Sequence, residues 1–456
     1  MVRVILKQNR RRRLESGHPW VFRSEIDRVE DGFASKDTEA DNKQAVNGLP
    51  FADKEIGKDS SLVPPTLSLD LVEVYNHAGH FLALGFYNPL SEITVRVLAY
   101  HRLTIDEHWL EEKIALAWER RRWMLPEAES CRVIYGEADF LPGLVVDKYS
   151  DVLVVQILSR GMDSRKDWIF AALRKTFQPR GIYERSDVSV RKLEGLEERA
   201  GFVGAEFDTK VTIEEHSLRI TIDVAEGQKT GYFFDQRENR AALKPFMKGW
   251  GRKNGVDFNP EGRPADKKGK VIKNPFWDGA EVLDCFSHTG SFMLHACLYG
   301  AKKVTCVDVS DKAIEMARSN ALHNGFLHRT EFVRANAFDY LREQVKEGRQ
   351  WDMVILDPPA FAKSRQAVQT ALRGYKEINL QGMKLARQGG LLASASCSYH
   401  LRPQQFLDII HEAARDARKI LRLVEFRRAG LDHPVLLGSE ETDYLKFAIF
   451  EVFDRS

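Results

Sequence analysis

Alternation of hydrophobic and polar positions predicts a small β-rich domain over residues 1–102. The last part of this zone alternates with period two, which is typical of half-buried strands. The strands predicted there are 69–76, 80–88 and 93–100. Before them, residues 31–68 hold seven acidic residues against four basic ones, and this composition predicts an inserted surface loop.

Residues 103–215 mix helical and strand patterns. Apolar positions 110, 114, 117 and 118 follow the helical period and predict a helix over 106–125. The other expected elements are strands over 144–149 and 152–158, a helix over 168–177 and a charged, loop-rich stretch over 181–195. We therefore expect a central α+β domain.

Strands and helices alternate through residues 216–456. The predicted strands are 281–286, 303–310, 330–337, 352–359, 390–397 and 445–452. Such alternation is typical of a parallel, doubly wound sheet, so we expect an α/β, Rossmann-like domain. Residues 248–280 contain six glycines and three prolines, which predicts a mobile loop insertion before the first of these strands.

Composition narrows the possible functions. The 456 residues include 68 basic and 66 acidic ones, which gives a net charge of +2 and excludes a uniformly polycationic nucleic-acid binder but not a local basic patch. No apolar run approaches the ~20 residues of a membrane span, and the N-terminus lacks the apolar region of a signal peptide. Five cysteines without a CxxC spacing predict reduced thiols in a cytoplasmic protein and no metal site.

The first strand of the third zone ends in a tight turn that predicts a cofactor site. Asp284 lies at the strand end, and Thr289 and Gly290 lie in the turn before a helix. Turns at the carboxyl ends of parallel strands bind ligands. A single glycine argues against the G-x-G-x-x-G turn of a nicotinamide dinucleotide site. A small, acid-lined turn instead suits the cationic amino-acid end of S-adenosylmethionine.

The next two strand ends extend this predicted site. Asp308 is placed to accept hydrogen bonds from the two ribose hydroxyls of the cofactor, and Asn336 and Ala337 are expected near its adenine. An alternative role for Asp308 is to cap the helix that begins at Ser310. The glycine turn, Asp308 and the Asp-Pro-Pro segment after the fourth strand together favour the cofactor site.

Two further strand ends carry candidate catalytic groups. Asp357 precedes Pro358, and Cys397 ends the following strand, so both are expected in one cleft. A thiolate that adds to C6 of a pyrimidine makes C5 nucleophilic enough to take a methyl group, and an acid at N3 stabilises the adduct. The alternative for Cys397 is packing, the usual role of a free cysteine. Packing is the role expected for Cys285, Cys297 and Cys306, with Cys285 pointing away from Asp284.

Six segments of the chain together match one family. They are EGQKTGYFFDQRENR (226–240), DCFSHTGSF (284–292), LDPPAFAKS (356–364), RGYKEIN (373–379), SCSYH (396–400) and DHPV (432–435). They resemble the bacterial class I methyltransferases that make 5-methylcytosine in 23S ribosomal RNA and carry an N-terminal PUA domain. The resemblance covers nearly the whole chain and implies a PUA domain, a central domain and a Rossmann-like methyltransferase domain.

The resemblance also implies a cofactor and catalytic residues. S-adenosylmethionine would be the methyl donor, with Gln236 near its amino-acid end, and Cys397 matches the nucleophile of the family. This chain has Ala360 where many RNA cytosine-C5 methyltransferases have a second cysteine, so another base must serve product release. The residues expected to contact the cofactor are Gln236, Asp284, Phe286, Thr289, Gly290, Asp308, Ser310, Asn336, Ala337, Asp357 and Pro358.

Basic residues predict contacts with RNA. The first thirteen residues hold six basic residues and no acidic one, with Arg10, Arg11, Arg12 and Arg13 in succession. Further contacts are expected from Arg120 to Arg122, with a solvated helix face as the alternative, and from Arg185 and Arg191, with salt bridges between domains as the alternative. A base must also be flipped out to reach Cys397, and its candidate stacking partners are Tyr375, Tyr399 and Phe361.

The sequence leaves other functions open. Asp-Pro-Pro segments also hold guanine amines for direct methylation, which needs no thiol. A protein of another class, a non-catalytic RNA-binding or ribosome-assembly protein, is disfavoured by Asp308, the glycine turn and Cys397. The expected partner is 23S rRNA or its assembly precursor, with no membrane, and the sequence does not decide whether the chain forms a homodimer.

Overall fold

The N-terminal part of the chain forms a six-stranded sheet with the order β2-β6-β5-β4-β1-β3. The computed structural model describes residues 1–30, 70–227, 230–361 and 368–455, so the predicted insertion at 31–68 lies outside the described residues. The three strands predicted after that insertion are present as β4, β5 and β6. The elements are β1 (Val2–Leu6), α1 (Arg11–Glu15), β2 (Trp20–Phe22), β3 (Ile26–Glu30), β4 (Leu71–Tyr75), β5 (Phe81–Tyr87) and β6 (Ile93–Ala99).

The central part forms a five-stranded sheet with the order β11-β10-β9-β8-β7. Its elements are α2 (Glu107–Met124), β7 (Cys131–Tyr135), β8 (Leu144–Tyr149), β9 (Val152–Ile157), α3 (Arg160–Asp163), α4 (Lys166–Phe177), β10 (Gly181–Ser186) and β11 (Arg199–Phe202). The stretch 181–195 was expected to be loop-rich, but it begins with a strand inside this sheet. The charged residues Glu184 and Arg185 are buried there, because Arg199 and backbone carbonyls serve as their partners.

The last part is built on a seven-stranded sheet with the order β18-β17-β16-β19-β20-β22-β21. Strand β22 is antiparallel to both of its neighbours, β20 and β21, and the other neighbouring strands are parallel to each other. The strand order reverses between β16 and β19, and such a reversal opens a ligand crevice at the carboxyl ends of the strands. The strands are β16 (Glu281–Cys285), β17 (Lys303–Asp308), β18 (Thr330–Arg334), β19 (Trp351–Leu356), β20 (Ala386–Ser396), β21 (Lys419–Arg427) and β22 (Lys446–Asp454).

Helices cover both faces of this sheet. They are α5 (Arg237–Ala241), α6 (Trp250–Lys253), α7 (Ser291–Leu298), α8 (Asp311–His323), α9 (Ala337–Lys346), α10 (Val368–Leu385) and α11 (Pro403–Asp416). Because successive strand residues point to opposite faces, Val282 joins the apolar cluster with α7 and α8, whereas Leu283 and Cys285 join the one with α9, α10 and α11. Cys285 therefore points away from Asp284, as predicted.

A hairpin links the central sheet to the large sheet. It consists of β12 (Lys210–Glu215) and β13 (Leu218–Asp223), and the predicted domain division after residue 215 falls at its turn. One buried cluster runs from Tyr149 and Val152 of the central sheet through the hairpin to α7. The segment 248–280 contains α6 and a short ribbon of β14 (Asp257–Phe258) and β15 (Pro264–Ala265), and it buries Trp250.

Candidate active site

The turn after β16 is held in a left-handed backbone conformation. Phe286, His288 and Gly290 have φ values of 62°, 49° and 80°. A Cβ atom at Gly290 would lie 2.5 Å from Cε of Met293 and 3.0 Å from Cβ of Ala317, so only glycine allows α8 to pack this closely on the turn. Residue 290 is thus glycine for a conformational and a packing reason.

Asp284 and Thr289 present buried polar atoms at this turn. Oδ2 of Asp284 accepts a hydrogen bond from the Met293 backbone N–H at 3.1 Å, but its Oδ1 and the hydroxyl of Thr289 have no partner among the described residues. Burial, helped by the carboxylates of Asp357 and Asp308, raises the pKa of Asp284 well above its usual range. Three carboxyl groups and unpaired buried acceptors fit a ligand with cationic groups, such as the predicted S-adenosylmethionine.

Asp308 is fixed at the end of β17 by backbone groups. Its two carboxylate oxygens accept hydrogen bonds from the backbone N–H groups of His288 and Ser310, each at 3.0 Å. The cap of α8 is the hydroxyl of Ser310, which accepts from the Ala313 N–H at 3.3 Å. The alternative role of Asp308 as the helix cap is therefore wrong, and its carboxylate is oriented beside the first turn.

Asn336 is the N-cap of α9 and is exposed. Its Oδ1 accepts a hydrogen bond from the Phe338 N–H at 2.9 Å, which leaves its amide N–H donors available, while Ala337 is buried. Beside it, the ring of Phe286 lies 6.3 Å from that of Phe338 and 6.5 Å from that of Phe361. This aromatic group forms an apolar wall next to Asp308.

Asp357 follows β19 and is bound to Gln236. Nε2 of the buried Gln236 donates to Oδ1 of Asp357 at 3.0 Å, and Nδ2 of Asn239 donates to Oε1 of Gln236 at 2.7 Å. The second contact orients the Gln236 amide so that its N–H faces the carboxylate. The segment 226–240, singled out by the resemblance, therefore reaches the candidate catalytic acid.

Cys397 follows β20, the parallel neighbour of β19. Its Sγ lies 3.9 Å from the carbonyl oxygen of Pro358, the residue after Asp357, so the two candidate catalytic residues lie side by side at the ends of neighbouring strands. The thiol is partly exposed, whereas the other four cysteines are buried. Burial raises the pKa of both Cys131 and Cys297 to about 12, which makes them inert.

Comparison with known proteins matches this architecture. Residues 4–48 and 51–100 match the PUA-like domain family, and residues 270–387 match a family described as conserved hypothetical protein 95. The ribosomal RNA large subunit methyltransferase I of Alteromonas mediterranea is 34% identical over 455 residues and covers 99% of each chain. The same enzyme of Vibrio cholerae is 35% identical over 449 residues and covers 97% of each. The chain belongs to the ribosomal RNA large subunit methyltransferase I family.

Solved structures share the fold of this family member. One, described as an S-adenosylmethionine-dependent methyltransferase from Streptococcus mutans, has a TM-score of 0.73 at 17% identity and covers 99% of this chain and 100% of its own. Another, a methyltransferase complexed with SAH, has a TM-score of 0.74 with the same identity and coverage. The predicted α/β fold with an N-terminal PUA-like domain is confirmed, as is the predicted enzyme class, a methyltransferase.

The expected RNA contacts of this methyltransferase differ in exposure. Arg10, Arg11 and Arg12 are exposed, and the guanidinium of Arg13 lies 4.5 Å from the ring centre of Phe22.

No helix in the described part of the chain is long and apolar enough to cross a membrane.

Arg185 and Arg191 are buried, in contrast to the expectation that they contact phosphates. Arg185 donates to the carbonyls of Val224 and Gly227, and Arg191 binds Asp163 at 3.0 Å. The alternative, salt bridges between domains, does not describe them either: Arg191 pairs with Asp163 within the central part, and Arg185 reaches the third part of the chain through backbone carbonyls. Arg121 is buried as well, in an ion pair with Asp139, whereas Arg122 is exposed.

Several residues beside Cys397 were missed or misjudged from the sequence. Tyr375 is buried and cannot stack on a flipped base, because its hydroxyl hydrogen-bonds to those of Ser396 and Ser398 at 2.9 Å each. The sequence analysis also missed Lys446, which is buried at the start of β22. Its only signal was a lysine at the edge of an apolar strand.

Glu215, His216 and His295 bring three metal-ligating atoms within 4.8 Å of one another. However, the guanidinium of Arg240 binds Glu215 at 2.7 Å and that of Arg237 lies 3.4 Å away. A cation there would be repelled by both arginines. We therefore assign this cluster to the packing of the hairpin β12–β13 against α7.

Proposed function

We propose that this enzyme forms 5-methylcytosine in the 23S rRNA of the large ribosomal subunit, with Cys397 as the nucleophile. The observation that carries the proposal is the partly exposed Cys397 thiol at a strand end beside Asp357, while the other four cysteines are buried. The names of the relatives from Alteromonas mediterranea and Vibrio cholerae support the large-subunit rRNA as the substrate class.

S-adenosylmethionine is the methyl donor, and when bound it supplies an electrophilic methyl group. The carboxyl group of Asp284 and the hydroxyl of Thr289 would hold its amino-acid end with Gln236 nearby. Asp308 has lone pairs left for the ribose hydroxyls, and Phe286 would pack on the apolar side of the adenosine. The negative surroundings of Asp284 favour a cationic ligand.

The chain's own residues then activate the base. The Cys397 thiolate forms a bond to C6 of cytosine, and Asp357 hydrogen-bonds at N3, where charge develops in the adduct. C5 becomes nucleophilic and takes the methyl group. The C5 proton then goes to a base and the S–C6 bond breaks, which releases 5-methylcytosine and the thiolate. C5 has exchanged a proton for a methyl group, and the donor leaves as S-adenosylhomocysteine.

The test is the Cys397→Ala variant on unmodified 23S rRNA, with nucleosides identified by mass spectrometry. We expect 5-methylcytosine to vanish while calorimetric binding of S-adenosylmethionine is unchanged. The matched control is Cys131→Ala, which removes a buried thiol of the central sheet and should leave the product unchanged. Full activity of Cys397→Ala would exclude the covalent mechanism.

The same mass spectrum decides between the proposed base and guanine. A carboxylate such as that of Asp357 can also accept from a guanine amine, so a methylguanosine that forms equally well in Cys397→Ala would replace the present proposal. Absence of both cofactor binding and any methylated nucleoside would instead favour a non-catalytic RNA-binding protein.

A further inference from the structure

A buried lysine lies against the turn that carries Cys397. Lys446 is the first residue of β22, and its Cα is paired with Ser396 across the antiparallel ladder. Its side chain has 0% exposure, and its Nζ donates hydrogen bonds to the carbonyls of Ser398 and Tyr444, each at 2.7 Å. The ammonium group is therefore hydrogen-bonded to the residue that directly follows Cys397 in the chain.

The positive charge of Lys446 has no dedicated counterion. Among the residues that the structure describes, none of the carboxylates forms an ion pair with Lys446, and the nearby Asp443 is engaged with Arg428 at 3.3 Å. A buried ammonium without a partner is costly, because removal from water is not repaid by a neighbouring charge. An anion that forms beside the ammonium during the reaction would offset this cost.

The groups that act on Lys446 identify this anion. Burial lowers the pKa of Lys446 to about 8, whereas Cys397 and Asp443 raise it. Tyr375, which also lies beside Cys397, has its pKa raised by burial and stays neutral. Since Asp443 already binds Arg428, Cys397 is the group whose ionisation Lys446 would balance.

Hydrogen bonds also hold the backbone of this turn from both sides. The hydroxyl of Tyr375 bridges Ser396 and Ser398, on either side of Cys397, and the ammonium of Lys446 binds the Ser398 carbonyl. The two residues that flank Cys397 are therefore held in place relative to Lys446.

We propose that Lys446 is a positioning residue that holds the turn 396–398 and supplies the positive charge that keeps Cys397 in the thiolate form. The inference rests on the proposed nucleophilic role of Cys397. The thiol proton leaves to bulk water, so no further base is needed for this step. The interaction stabilises the ionised form of both groups, because a nearby cation favours the thiolate and the thiolate favours the ammonium.

The experiment measures the rate of alkylation of Cys397 by iodoacetamide between pH 5 and pH 10, read by mass spectrometry of the intact, folded chain. In Lys446→Gln, which keeps N–H donors but removes the charge, we expect the midpoint of the pH profile to rise by about one unit or more. This shift makes the rate at pH 7 roughly tenfold lower. Lys446→Arg should restore most of the rate.

Controls separate this effect from loss of structure and from failure of the proposed function. Lys419→Met removes a lysine at the other end of the same sheet edge, where it binds Asp454, and should leave the profile unchanged. If Lys446→Gln unfolds, Lys446→Met takes its place, because it also removes the charge but buries an apolar side chain of similar length, and the same rise of the midpoint is expected. An unchanged midpoint in the folded charge-removing variant, or a midpoint in Lys446→Arg raised as far as in that variant, would overturn the proposal.

Alkylation does not require catalysis. A methylation-competent Cys397→Ala would therefore refute the covalent mechanism without touching the alkylation result, and a normal pH profile in Lys446→Gln would refute the role of Lys446 without touching the covalent mechanism.

Discussion

At the scale of single residues, the contact between Gln236 and Asp357 joins two segments that are far apart in sequence. The amide of Gln236 is buried and its orientation is set by Asn239. A hydrogen bond to a carboxylate in a buried site fixes the position and orientation of the acid. Gln236 therefore orients Asp357, and in the proposed mechanism this orientation directs the acid at the base.

Replacement of Gln236 by leucine tests this arrangement. Gln236→Leu keeps the volume but removes the N–H donor, so Asp357 loses an interaction of about 1.5–3 kcal/mol and the methylation rate should fall roughly ten- to hundredfold. Rates on 23S rRNA at saturating cofactor measure the effect. Gln344→Leu, at the far end of α9 from Ala337, is the control and should retain its rate. A normal rate in Gln236→Leu would mean that Asp357 is positioned without it.

The strand-end residues of the site were predictable, but their buried partners were not. Asp308, Asp357 and Cys397 end parallel strands, and alternation along the chain is enough to bring such ends together. Lys446 and Arg185 are charged residues whose burial depends on partners that come from distant parts of the sequence. No local pattern distinguishes them from solvated lysines and arginines.

At the scale of elements, the turn between β16 and α7 depends on one glycine. The structure requires both a positive φ and the absence of a Cβ atom at residue 290. Strand β21, by contrast, was missed by the sequence analysis, because it is an edge strand with mixed exposed and half-buried positions rather than a clear apolar alternation. Edge position alone does not hide a strand, since β18 at the other edge of the sheet was predicted over 330–337.

Gly290→Ala separates the two requirements when it is compared with Gly325→Ala. Gly325 has a φ of 73° but no atom within 4 Å of the position of a Cβ, so its replacement meets only the backbone strain of about 1–2 kcal/mol. Gly290→Ala adds the clash with α8 and should cost about 1–3 kcal/mol more. Urea unfolding measures both free energies, and calorimetry should show weaker binding of S-adenosylmethionine only for Gly290→Ala. Equal losses in the two variants would contradict the packing argument.

At the scale of the whole molecule, Asp432 in the segment 432–435 joins the central sheet to the methyltransferase domain. Its Oδ2 accepts from the Arg132 backbone N–H at 2.9 Å and lies 3.5 Å from the guanidinium of Arg237, and its carbonyl accepts from Arg121 at 2.9 Å. Burial alone would raise the pKa of Asp432, but His433, Arg237 and the Arg132 N–H hold it well below its usual range. The buried carboxylate of Asp432 is therefore ionised in the folded protein.

Asp432→Asn should lower the free energy of unfolding by about 1–3 kcal/mol at pH 7, because it removes the carboxylate that faces the buried guanidinium of Arg237 and accepts from the Arg132 N–H, while Glu215 still faces Arg237. A lowered pKa stabilises the fold above the pKa of the unfolded chain, near 4. The difference from wild type should thus be constant between pH 7 and about pH 5 and shrink only at lower pH. Urea unfolding at several pH values measures it. Asp416→Asn, an exposed residue of α11 paired with Lys376, should leave the stability unchanged. A similar loss in both variants would argue against a specific role of the junction.

The hairpin β12–β13 makes the second and third parts of the chain inseparable. One cluster of buried apolar side chains passes through it from Tyr149 to Phe292. Cleavage at its turn would leave each fragment with an apolar wall open to water, and both would aggregate. A gene fusion that aims to give this catalytic domain a new RNA-binding partner therefore has to carry the central sheet along with it.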